Sequence, residues 1–258
     1  MTSHMSRPLL VVFTGNTVPI VKERHGDFDA HFRAAIGDAW PGEFVTIDAR
    51  DLETPLPSLD SVAGVVVTGS SSSVTERAPW MLRLEGWLRD AVEHETPLLG
   101  VCFGHQILAQ ALGGEVRPNP RGRHIGTHTV HRHEDAIDDP ILQGIPSAFI
   151  ANLSHRDHVA VAPNGVRALV TADHDALHAF AAGRFATGVQ FHPEFHDDIM
   201  RGYITTRSEL LKSEGLDPEA LHTAVRDVPD ARSVLGNFVR GFVLGPGRRR
   251  DAARSAKK

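Results

Sequence analysis

Residues 97–114 read Pro97-Leu98-Leu99-Gly100-Val101-Cys102-Phe103-Gly104-His105-Gln106-Ile107-Leu108-Ala109-Gln110-Ala111-Leu112-Gly113-Gly114. The stretch opens as a short apolar strand and continues at once as an amphipathic helix, with no loop residues between. A strand that turns directly into a helix forces the turn residue into a strained backbone conformation, and small residues must flank it. Gly100 and Gly104 stand at those flanks, and the turn residue is Cys102. Apolar, β-branched runs at 9–14, 44–47 and 62–68 alternate with helical patterns at 27–40 and 79–95. Val65, Val66 and Val67 are apolar on consecutive positions, which an interior parallel strand tolerates and a half-exposed antiparallel one does not. The fold class is therefore α/β, a mostly parallel central sheet flanked by helices.

Downstream, the texture changes to extended pieces at 123–133, 148–152 and 167–172 and to a hairpin of 177–181 with 185–191, turning at Ala182-Gly183-Arg184. These pieces either extend the sheet or form a small side sheet. After Pro193 helical spacing returns through Ile199, Met200, Tyr203, Ile204, Leu210 and Leu211. Asp217-Pro218-Glu219 reads as a capped helix start, and a last helix covers about 230–244 before Gly245-Pro246-Gly247. The organisation expected is one domain over 6–245, with 197–244 as a helical extension and 246–258 as a basic, flexible tail. The extension either packs on the core or forms a homo-oligomer surface. The opening Met1-Thr2-Ser3-His4-Met5 carries a second methionine and no fold signal.

Composition narrows the function classes. The 258 residues are 41% hydrophobic, enough to bury a proper core. Twenty-seven basic and 32 acidic residues leave a formal charge of −5, dispersed along the chain, which argues against a nucleic-acid partner. No apolar run approaches the roughly 18 residues of a membrane span, and no secretory signal opens the chain. A cytoplasmic location is expected. The single cysteine, Cys102, excludes an internal disulfide and a Cys-rich zinc site.

Cys102 sits where a nucleophile elbow would place it, with sulfur in place of a serine oxygen, at a helix N-terminus whose dipole favours thiolate. The plainer alternative is one more small buried residue. A second motif, Gly188-Val189-Gln190-Phe191-His192-Pro193-Glu194, decides between them. Residues two apart on an extended chain face the same side, about 6.6 Å apart, so the Glu194 carboxylate reaches the His192 ring. A carboxylate on an imidazole fixes its tautomer and supports the imidazolium. Cys102, His192 and Glu194 then form a candidate catalytic triad. The N–H of Phe103, following the elbow, is an oxyanion donor. The loop Thr68-Gly69-Ser70-Ser71-Ser72-Ser73-Val74, after another parallel strand, is placed to supply a second.

These residues together resemble the class I, triad-type glutamine amidotransferases, and in particular the glutaminase domain of GMP synthase and stand-alone proteins similar to it. The pairing of Gly-Val-Cys-Phe-Gly-His-Gln with Phe-His-Pro-Glu about ninety residues later is specific. The resemblance implies a flavodoxin-like sheet and hydrolysis of the glutamine side-chain amide to glutamate and ammonia through a cysteinyl γ-glutamyl thioester. It implies no cofactor. By position, Gly69, Ser70 and the Phe103 N–H would form the oxyanion hole. Gln106, Ser154 and His155, the latter two in Leu153-Ser154-His155-Arg156-Asp157-His158-Val159, would line the substrate pocket. Two departures stand out: Gly69-Ser70-Ser71 replaces the family's Gly-Gly-Pro, and Arg156 replaces a small residue.

No Ser-Gly-Gly-x-Asp-Ser phosphate loop of a synthetase occurs in the sequence, so ammonia would pass to a separate ammonia-accepting synthase. A γ-glutamyl peptidase acting on γ-glutamyl amides or conjugates would use the same catalytic residues. A non-catalytic binding module is the remaining alternative. Among sixteen histidines, His124, His128, His131 and His133 cluster in sequence, but they lack zinc-site spacing, and a solvated strand face is expected there rather than a metal site.

Overall fold

Strand β1 (Leu9–Phe13) is apolar at every position because both of its faces are covered. Leu9, Val11 and Phe13 enter one core, and Leu10 and Val12 the other. A computed structural model of the chain describes residues 7–173 and 175–245. The expected tail, 246–258, and the opening pentapeptide lie outside the described residues.

The same double burial recurs in β3 (Gly64–Val67) and β4 (Leu98–Val101). With β2 (Phe44–Asp48) and β11 (Ala186–Val189) they form a parallel block ordered β2-β1-β3-β4-β11. The sheet continues antiparallel through β10 (Asp175–Ala182), β9 (Arg167–Ala172), β6 (His124–Arg132) and β7 (Ala148–His155), nine strands in all. β5 (Glu115–Pro118) and β8 (Asp157–Val161) pair separately. All the extended pieces named from the sequence thus extend the main sheet, and the side sheet is made by two strands, β5 and β8, that the sequence reading did not single out.

On one face lie α3 (Pro79–Glu93), through Met81, Leu84 and Leu88, and α4 (Phe103–Ala111), through Phe103, Ile107 and Leu108. The other face carries α2 (Phe28–Ile36), begun by the Asp27 cap and broken at Gly37, so the helix expected to reach residue 40 ends earlier. A short helix α1 (Pro19–His25), too brief for a periodic signal, precedes it. The C-terminal region forms α5 (Asp197–Thr206), α6 (Ser208–Ser213), α7 (Pro218–Ala224) and α8 (Pro229–Phe238), followed by a π-helical turn. Asp217 caps α7 as expected, accepting from the Glu219 and Ala220 N–H groups.

This extension packs on the core. Met200, Ile204, Leu235 and Phe238 are fully buried in the same cluster as Leu9 and Val11. Each such side chain contributes about 1.5–3 kcal/mol by leaving water. Among the described residues no helix is long and apolar enough to cross a membrane.

Candidate active site

Cys102 occupies the junction between β4 and α4 with φ 53° and ψ −102°, a conformation unfavourable for any residue with a Cβ. The surrounding backbone holds it there. The Cys102 N–H donates to the Val189 carbonyl at 2.9 Å, and its own carbonyl accepts from the Gln106 N–H at 3.1 Å. A Cβ on Gly100 would stand 2.4 Å from the Gly104 carbonyl oxygen, and a Cβ on Gly104 would stand 2.4 Å from that of Val67. Neither glycine has room for a side chain, which is why the elbow needs both.

The register of the sheet brings the other groups to the same edge. β4 lies between β3 and β11, so Gly69, Cys102 and His192 all follow the C-terminal ends of three adjacent parallel strands. A Cβ on Gly69 would sit 3.1 Å from His192 Cε1 and 3.7 Å from Cys102 Cβ, which places the loop against both side chains. The Gly69 carbonyl lies 3.0 Å from the Thr14 hydroxyl and 3.1 Å from that of Thr68. Its peptide is trans, so the Ser70 N–H is aimed away from the two threonines. Phe103, at the first position of α4, has an N–H with no intrahelical acceptor.

His192 Nδ1 lies 2.8 Å from Glu194 Oε1, and both side chains are buried. The expected pairing is present, but its local geometry differs from the expectation. β11 ends at Val189, and His192-Pro193-Glu194 lies in a turn closed by the Phe195 N–H on the His192 carbonyl at 3.3 Å. The ring is clamped by Phe195, stacked at 4.0 Å between centroids, and the His192 N–H donates to the Asn152 carbonyl at 2.9 Å. Burial alone would lower the His192 pKa. The Glu194 carboxylate, and then the nearby Cys102 sulfur, outweigh burial and push it up to about 10.

The three expected pocket residues lie at this edge in different settings. The Gln106 amide nitrogen donates to the Asp157 carbonyl at 2.9 Å and to Gln190 Oε1 at 3.0 Å, so its N–H groups brace the 154–159 segment. The Ser154 carbonyl is 3.9 Å from the Cys102 sulfur, and its hydroxyl accepts from Arg207 at 2.5 Å. His155 is turned the other way, with Nδ1 2.9 Å from the Asp157 carbonyl and its ring 5.6 Å from that of His178. Burial, then neighbouring His178, lowers its pKa to about 3. The Ser73 hydroxyl also donates to the Asp157 carboxylate, linking the serine loop to this segment.

Sequence reasoning missed Thr14, Asn152 and Arg207, and read Thr68 only as the start of the serine loop. The threonines follow parallel strand ends, the one signal available; Arg207, in the helical extension, carried none. The histidine expectation needs correction. His131 is exposed, but His124 is buried with its ring 4.1 Å from that of His128 and 5.7 Å from that of His155. The strand bearing it is an inner element covered by α7, so its face is only partly solvated. Among the described residues no cluster of His, Cys, Asp and Glu is arranged to hold a metal ion.

The sequence model of the family described as glutamine amidotransferase class-I matches residues 40–207, the larger part of the chain, including Cys102, His192 and Glu194. The chain belongs to the class I glutamine amidotransferases. Among members of this family, it is 31% identical to a glutamine-hydrolyzing GMP synthase subunit of Halobacterium salinarum over 68% of this chain and 87% of that protein. It is 37% identical to the GMP synthase of Thermomicrobium roseum over 52% of this chain, and spans only 24% of that protein's length. The Arabidopsis thaliana protein Gamma-glutamyl peptidase 5 is 26% identical over 93% of this chain and 98% of its own. A glutamine amidotransferase from Thermotoga maritima shares the fold, with a TM-score of 0.72 at 23% identity over 93% of this chain and 99% of that one.

Proposed function

We propose that the chain hydrolyses a γ-glutamyl amide, with the side-chain amide of glutamine as substrate, through a thioester on Cys102. The observation that carries this reading is the convergence at one sheet edge of a strained cysteine, the His192–Glu194 pair and the Gly69 loop. Glu194 on Nδ1 leaves Nε2 of His192 to serve the sulfur. With a proton held on His192, the sulfur attacks the amide carbon as thiolate. The tetrahedral oxyanion is met by the Phe103 and Ser70 N–H groups. Collapse breaks the C–N bond as His192 gives its proton to the departing nitrogen, and ammonia leaves. A water, losing a proton to His192, then attacks the thioester carbon; the C–S bond breaks and glutamate leaves.

In this reading Gln106 and Ser154 shape the pocket wall, Gln106 by holding the Asp157 segment, and His155 supports that segment from behind through the Asp157 carbonyl. The ammonia passes to a separate synthase, in a reducing cytoplasm consistent with a single thiol. A second reading, a γ-glutamyl peptidase, is favoured by the end-to-end match to Gamma-glutamyl peptidase 5. The purified chain should release glutamate from glutamine, and Cys102→Ala should abolish it. Negligible glutamine turnover beside rapid cleavage of γ-glutamyl amines would replace the first reading by the second. No Cys102-dependent turnover with either class would leave only a binding module.

A further inference from the structure

Arg207 closes α5 and reaches back across the fold to the candidate nucleophile. Its guanidinium donates to the Ser154 hydroxyl at 2.5 Å and lies over the Tyr203 ring at 5.0 Å. Ser154 is the residue whose carbonyl approaches the Cys102 sulfur to 3.9 Å, so a cation stands one residue away from the reacting atom. Tyr203 is itself fixed, its hydroxyl 2.9 Å from that of Thr17.

The carboxylate that acts on Arg207 is bonded elsewhere. Glu214 forms a two-armed pair with Arg123, at 2.7 and 3.0 Å, and the same carboxylate feels Arg156 and Arg207. Glu214, a carboxylate that acts on Arg207, is thus already engaged by Arg123, and the hydrogen-bond partner left to Arg207 is a neutral hydroxyl. A half-buried arginine whose hydrogen-bond partner is a neutral hydroxyl retains donors in a rigid fork suited to a carboxylate. Burial also pushes the Arg207 pKa below its ordinary value, as expected of a guanidinium without full compensation.

We propose that Arg207 binds a carboxylate of the substrate and so sets which γ-glutamyl compounds the site accepts. This rests on the γ-glutamyl hydrolase reading above and deepens it. Two carboxylates have the required chemistry: the α-carboxylate of the γ-glutamyl group, and a carboxylate carried by the leaving amine, as in a γ-glutamyl dipeptide.

The test uses the full chain with Arg207→Gln and Arg207→Lys on three substrates. These are γ-glutamylglycine, γ-glutamyl methylamide, and γ-glutamyl methylamide with its α-carboxyl converted to an amide. Arg207→Gln should lower kcat/KM by about 10- to 100-fold wherever the contacted carboxylate is present, the range of a lost charge-assisted pair. Arg207→Lys should recover part of that loss. A penalty on the first two substrates that collapses on the third assigns the α-carboxylate. A penalty confined to γ-glutamylglycine assigns the leaving group. Equal losses on all three, or none on any, would overturn the proposal.

Calorimetry of γ-glutamylglycine with Cys102→Ser separates this idea from the catalytic one. Binding that weakens at least tenfold on adding Arg207→Gln upholds the carboxylate site even if the wild-type chain turns nothing over. Turnover with binding indifferent to Arg207 removes the carboxylate site and keeps the hydrolase. No binding at millimolar ligand removes the carboxylate site.

Discussion

A methyl group on Gly104 would stand 2.4 Å from the carbonyl oxygen of Val67, so α4 rests on β3 backbone to backbone. The candidate nucleophile is aimed by this contact rather than by its own side-chain bonds. Gly104→Ala should therefore cost about 1–3 kcal/mol of stability as α4 is driven off the strand. It should lower turnover more than stability, because the elbow moves with the helix. Denaturant unfolding beside a glutaminase assay checks both, and a variant with wild-type stability would show that the packing yields.

Cys102 carries a backbone conformation that glycine adopts without strain. Cys102→Ala and Cys102→Gly should both abolish turnover, yet differ in stability. Ala retains the Cβ and the strain, whereas Gly releases about 1–3 kcal/mol of it, less its greater unfolded-state entropy. Comparing midpoints of the two variants isolates the strain, and a glycine variant less stable than the alanine one would argue that the elbow is relaxed.

The His192–Glu194 pair makes a pH prediction with a definite sign. His192 titrates near 10 in the fold against an ordinary 6.5. The stabilisation from its pairing is therefore fully present below about pH 6.5 and is lost as pH rises through about 10. Glu194→Gln keeps a hydrogen-bond acceptor and removes the charge, so the His192 pKa should fall and turnover should drop about 1,000- to 10,000-fold. Proton NMR of the His192 ring across the pH range reads this directly. An unmoved titration in the glutamine variant would mean that the carboxylate does not hold the proton.

His105 and His155 act in the opposite direction. Burial lowers His105 to about 4 and His155 to about 3. Unfolding exposes both rings to their ordinary value of 6.5, so the unfolded chain binds more protons below that pH. Stability should fall as pH drops from about 6.5 towards 4, by up to about 1.4 kcal/mol per pH unit for each ring. His105→Leu, beside Phe180 with ring centroids 5.0 Å apart, should flatten that slope. An unchanged slope would assign the acid sensitivity elsewhere.

The elbow and the paired acid were legible because each is a local arrangement. Gly100, Cys102 and Gly104 announce a strand turning into a helix, and the His-Pro-Glu turn sets two partners two residues apart. The pairing held although the chain there is a turn rather than a strand, since a turn also brings neighbouring side chains together. The three pocket residues were legible only as neighbours of the site. Nothing in the order of residues says that Gln106 braces Asp157 or that His155 turns towards His178. The buried setting of His124 was hidden for the same reason, because a strand's exposed face depends on what later folds over it.

By itself, the order of residues determined the parallel β-block, the turn that strains Cys102, and the carboxylate held against His192, because these depend on periodicity and on contacts a few residues apart. Only the tertiary structure decided which strands lie beside β4, and therefore that Gly69, Cys102 and His192 share one edge. It alone brought Thr14 to the Gly69 carbonyl and Arg207, from the helical extension, to Ser154. Those contacts span 53 to 55 residues, and they are set by strand order and by the burial of α5 against the sheet, quantities that no local pattern encodes.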